Sequence, residues 1–269
     1  MIEFTPSRIV YLVLHQRRED VPEERYTERF TAFAQAVEAQ AKAWASRAPA
    51  WPENPIVLSL GLDRLGDVVS DERRTVAAEG STAEAVAAIE RGRAYLQSLG
   101  FQDADGGRPV HETRFVVTGA VHLDVLEHLV RDHMGIYQPP HSGVITAFSR
   151  VTFNLFNVVA TFEPPGGVMP EGPELALFFG KPGRPGQVKY ADFREGLRTW
   201  LERLVEHQEA RAELWQRKLG LGRLREFVVR VHGTDSDALM RHATDHAVTP
   251  AVAQAILEEA ALVAFERPA

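Results

Sequence analysis

Asp124, His128 and Asp132 follow one another at steps of four, and His141 comes shortly after them. On a helix over residues 122–134 the first three share one stripe. Two carboxylates and an imidazole could hold a divalent metal, with His141 from the next loop as a fourth ligand. The plainer reading is a solvated face whose Asp–His pairs are worth roughly a few tenths of a kcal/mol. A second pair, His242 and His246, has the HxxxH spacing of some zinc sites. Ala243 stands where HExxH needs its glutamate, and no third ligand lies nearby in sequence. This pair reads as two exposed histidines near the chain end.

Another constellation depends on topology. Ligands of open parallel sheets sit beyond the carboxyl ends of the strands. His15, Gln16 and Arg17 follow the first apolar run, Asp63 and Arg64 the second, and His122 and Asp124 the third. Arg17, Asp63 and Arg64 would bind a small polar substrate there, with His15 and His122 as acid–base groups. A basic stretch near the C-terminus carries Arg217, Lys218, Arg223 and Arg225, which would suit nucleic acid or an acidic protein partner. The phosphate-binding loop, GxGxxG, GxSxG and HExxH motifs are all absent.

The elements that must position these groups can be read from periodicity. Apolar runs at 8–14, 56–60 and 113–121 read as strands, with helices over 22–47, 81–98 and 122–134 between and after them. Ser81 and Glu84 have the spacing of a capping box. This β-α-β-α-β-α order predicts parallel pairing. Residues 144–162 then read as one bent strand or a hairpin, followed by a strand at 175–180. A long amphipathic helix is expected over 190–219, a strand over 224–231, and a helical hairpin over 236–246 and 250–265. The expected class is α/β with a mixed sheet and a central antiparallel pair, or alternatively α+β. Residues 1–233 would form one domain, with 234–269 a helical appendage, and no internal repeat is evident.

Composition narrows the function. The chain has no cysteine, which excludes disulfides, iron–sulfur clusters and cysteine nucleophiles. A formal charge of −7 gives no general affinity for nucleic acid or anionic membrane. The N-terminal apolar run is too short for a signal peptide, and the longest run is too polar to span a membrane, so a soluble cytoplasmic protein is expected. The favoured expectation is a protein acting through self-assembly, as a homo-oligomer, or through a protein partner. It rests on the two-faced strand 144–162 and on Trp200 and Trp215 in the long helix. The alternatives are a metal-assisted or histidine acid–base enzyme on a small polar substrate, and a nucleic-acid-binding protein.

Overall fold

In a computed structural model of the chain, residues 7–47, 59–65, 81–101, 110–119, 141–168, 170–171, 174–183, 187–218, 222–246 and 249–266 are described. The elements are β1 (Ser7–Arg17), α1 (Glu23–Arg47), β2 (Ser59–Leu65), α2 (Ala83–Ser98), β3 (Val110–Gly119), α3 (His141–Ile145), β4 (Phe148–Phe162) and β5 (Glu174–Phe179). They continue with α4 (Tyr190–Gln208), β6 (Arg211–Arg217), β7 (Phe227–His232), α5 (Ser236–His246), α6 (Pro250–Ala253, extended by a π-helical segment Gln254–Glu259) and β8 (Ala261–Glu266). The expected mixture of strands and helices is therefore present. Contacts divide the chain into two compact units, residues 1–62 with 110–157 and residues 63–109 with 158–269, and the division passes through β2 and β4.

The second unit runs β5-α4-β6-β7-α5/α6-β8, the βαββαβ order of a ferredoxin-like fold. Its strands lie in the order β8-β5-β7-β6, and the three pairings are antiparallel. Alternate residues of these strands face the helices, because side chains in a strand alternate sides. Leu175, Leu177 and Phe179 of β5, Val229 and Val231 of β7, and Ala212 and Leu214 of β6 meet Phe193, Leu197, Trp200 and Leu204 of α4 in one core. The first unit repeats the topology: its strand order is β4-β1-β3-β2. The repeat has no counterpart in sequence, because this topology asks for apolar alternation and no fixed residue period.

Several expectations are corrected. The first and third strands, expected to pair in parallel, are antiparallel neighbours in a register of Ser7↔Gly119 through Gln16↔Val110. The expected 190–219 helix stops at Gln208, where Glu209 takes a left-handed conformation (φ 52°), and the chain reverses into β6. Ala212 and Trp215, which fit a helical stripe by number, lie on opposite faces of that strand. The 250–265 helix gives way at Ala260 to β8, so the expected hairpin ends in a core strand. Residues 148–162 form one strand without a turn at Ser149 and Arg150. The cap of α2 is Thr82, one residue later than expected: its hydroxyl accepts from the Ala85 amide, and its own amide donates to Asp237. Residues 122–134 lie outside the described residues.

Helix α2 packs tightly on β8 through Gly92. A Cβ built there would lie 2.0 Å from the carbonyl oxygen of Leu262. Backbone cannot rotate away as a flexible side chain could. Gly92→Ala is expected to lower stability by about 3 kcal/mol, the upper part of the range for overpacking. A denaturation midpoint within the error of the wild type would show that α2 and β8 are farther apart.

Candidate metal centre

The C-terminal ends of α4 and α5 bring three histidines together. Helix α4 buries Trp200, Leu204 and Val205, and His207 follows in its last turn at the rim of that stripe. Helix α5 buries Leu239, Met240, His242 and Ala243, and His246 stands one turn beyond His242 in the last turn. Ring centroids are 4.8 Å apart for His207–His246, 4.8 Å for His242–His246 and 5.6 Å for His207–His242. One ligand nitrogen from each falls within 4.8 Å of the others. Bonds of about 2.0–2.1 Å to zinc place nitrogens roughly 3.4 Å apart in a tetrahedron, so the rings must close in slightly. The exposed ring of His207 has the freedom to do so.

The environment of His242 makes this more than a cluster of rings. It is 3% exposed. Its Nε2 faces the carbonyl oxygen of Trp200 at 3.4 Å. The contact assigns the proton to Nε2, leaving Nδ1 a bare lone pair. That Nδ1 is buried and has no hydrogen-bond partner. Metal-bound histidines usually donate their second nitrogen to a carbonyl in this way, which fixes tautomer and ring plane. Burial is the main force holding His242 neutral and brings its pKa down to about 4; the Trp200 carbonyl opposes this, and His246 and His207 add to it. A neutral imidazole is the form that binds metal. The carbonyl ends of two helices converge here as well, and their partial negative charge favours a cation.

The residues singled out from sequence are placed differently. His122, Asp124, His128 and Asp132 lie outside the described residues, and of His141 only the backbone, opening α3, is described. Asp63 and Arg64 sit within β2 and not in a loop after it. Arg17 ends β1 and donates to the carbonyl of Val21. His15 is not at a strand-end rim. Antiparallel pairing sets it opposite His111, fully buried, with ring contacts to Phe30, Phe148 and His111. Its Nε2 is 2.9 Å from the Thr113 hydroxyl and its Nδ1 is 2.5 Å from the Tyr26 hydroxyl. Both nitrogens are satisfied and closed to solvent, which makes His15 a core histidine. The basic stretch is also turned inward in part. Arg217 donates to the carbonyls of Gly222 and Leu224, and Arg225 to those of Phe178 and Glu259. Lys218 is half-buried and Arg223 exposed. These arginines bond main-chain carbonyls, and Arg217 closes β6.

Burial, helped by His111, pushes the pKa of His15 well below its ordinary value. The unfolded chain then binds more protons than the folded one as pH falls below about 6.5, so stability is full above that pH and declines beneath it. The expected slope from this histidine is about 1.4 kcal/mol per pH unit. Urea unfolding at pH 7.5, 6.5 and 5.5 should show the decline, and His15→Gln should flatten it. An equal slope in the variant would mean that His15 is solvated.

His207 was not apparent from sequence. The HxxxH pair was visible, but its third member lies 35 positions before His242 on another helix. The one available signal was the polar gap at Gln208, which marks the end of α4.

No family model matches the chain, and no curated protein matches it in sequence. Solved structures similar to it include a chlorite dismutase from Candidatus Nitrospira defluvii (8% identity, 97% of this chain and 90% of that one, TM-score 0.47). A heme-binding protein from Thermus thermophilus is similar over 100% of this chain and 95% of that one (9% identity, TM-score 0.41). An anthrone oxidase-like protein is similar over 100% and 94% (10% identity, TM-score 0.47). The expectation of a protein acting mainly through self-assembly or partner binding is overturned. The two tryptophans behind the expectation are internal and offer no surface to a partner. Trp200 lies in the core of the second unit, and Trp215 is buried on the other face of its sheet, its indole N–H donating to Glu213. Among the described residues no helix is long and apolar enough to cross a membrane.

Proposed function

We propose that the chain is a metal-assisted enzyme acting on a small polar substrate, with the ion held by His207, His242 and His246. The observation that carries this reading is the buried, unpartnered Nδ1 of His242 beside two further imidazoles. Three nitrogen ligands favour zinc, copper, nickel or cobalt over magnesium or calcium, which take oxygen. Three protein ligands with a position left open is the pattern of catalytic zinc sites; structural sites use four. An ion there would polarise a bound oxygen and acidify a bound water. The protein's own part is orientation: Trp200 fixes the plane of His242, and the two helix ends fix the spacing of the rings.

Heme, which the Thermus protein is named for, does not fit the layer between sheet and helices of the second unit. The layer between its sheet and helices is filled by Phe193, Leu197, Trp200, Leu204 and Met240, each at most 1% exposed. A porphyrin has no slot between them.

The test is hydrolysis of a small chromogenic ester by protein stripped of metal and by protein reloaded with zinc. A rate that returns with zinc and is absent in His242→Ala supports the proposal. Equal rates for the stripped, loaded and variant proteins would refute it.

A further inference from the structure

The charge balance of the three-histidine site points to its substrate class. We infer that the open position takes a small oxyanion, such as a carboxylate, bicarbonate or phosphate. This rests on the metal reading above. Histidine ligates a metal as the neutral imidazole and so adds no charge, and among the described residues no carboxylate joins the three within the same reach. A divalent ion there keeps both of its charges, and such an ion is the largest local charge in its site. An anion gains from that charge what a neutral oxygen ligand cannot.

Access supports the same conclusion. His242 forms the buried end of the site, His246 is half-buried and His207 exposed, so the position they leave open lies towards solvent. Asp245 and Glu206, the acids beside His246 and His207 in sequence, are both exposed. Water screens an exposed carboxylate strongly, so it offsets little of the ion's charge. The helix ends contribute only partial charges, about half an elementary charge each, against the two of the ion.

Cobalt(II) makes the site visible without reference to turnover. The full chain, stripped of metal and loaded with one equivalent of Co²⁺, should show visible d–d bands that His242→Ala lacks. Acetate, bicarbonate and phosphate, added at constant ionic strength against perchlorate, should shift those bands saturably. Acetamide, the neutral counterpart of acetate, should leave them unchanged. Bands that appear but ignore all three anions, or respond equally to acetamide, overturn the oxyanion inference and leave the metal site standing. The absence of bands in the wild type overturns the metal site itself.

Discussion

Replacing Arg230 by alanine is expected to cost about 3–5 kcal/mol of folding stability, the usual result of removing one partner from a buried ion pair. Arg230 lies on β7, 2% exposed, and pairs with Glu174 of β5, which is 5% exposed. Its Nε donates to Glu174 Oε1 at 2.5 Å, while Glu174 Oε2 meets His232 Nε2 at 2.7 Å. The guanidinium lies over the rings of Phe265 at 4.4 Å and Trp215 at 5.3 Å. Alanine would take the guanidinium away from the buried Glu174 carboxylate, which keeps its contact to His232, and from both rings. The double variant Glu174→Leu with Arg230→Met removes both charges and should lose far less, since a buried pair often does no better than apolar groups of similar volume. Guanidinium unfolding, read as a shift in midpoint at constant slope, measures both. A loss below about 1 kcal/mol in Arg230→Ala would mean that water reaches Glu174.

The second large effect concerns the metal centre. His242→Ala should weaken zinc binding by more than about 100-fold, because loss of a ligand exceeds the 10–100-fold typical of outer-sphere changes. His207→Ala should weaken it as well, although His207 is exposed and contributes little to the core. This separates the site from mere stability: removing a surface histidine should leave the unfolding midpoint of the metal-free protein within about 0.5 kcal/mol of wild type. Competition with a chromophoric chelator reads the affinity. Zinc binding in His207→Ala indistinguishable from wild type would remove His207 from the ligand set and leave only His242 and His246.

Local patterns in the sequence were legible where one force dominated. The run at 8–14 is apolar because β1 is buried for most of its length, and Leu175 to Phe179 is apolar because β5 sits inside its sheet. The stripe of Phe193, Leu197, Trp200 and Leu204 gave α4 its start and its buried face. Pairing sense was not legible. Alternation of strand and helix suits a parallel βαβ unit, but it suits two βαββαβ units equally when helices are followed by antiparallel returns. That ambiguity misplaced His15, which β1 carries into the aromatic core beside His111 when the neighbour runs the other way. The ends of α4 and α6 were hidden for a related reason. Residues 211–217 and 261–266 contain apolar residues at steps of three as well as two, and only the left-handed turn at Glu209 and the break at Ala260 separate helix from strand. The metal centre needed tertiary structure altogether, since it joins two helix ends that sequence leaves far apart.

Zinc titration of the metal-free chain by calorimetry is the most direct test of the centre. One ion per chain, bound by the wild type and lost in His242→Ala at the same pH and salt, is the predicted result. No saturable binding to the wild type, or one ion still bound in the variant, would contradict it.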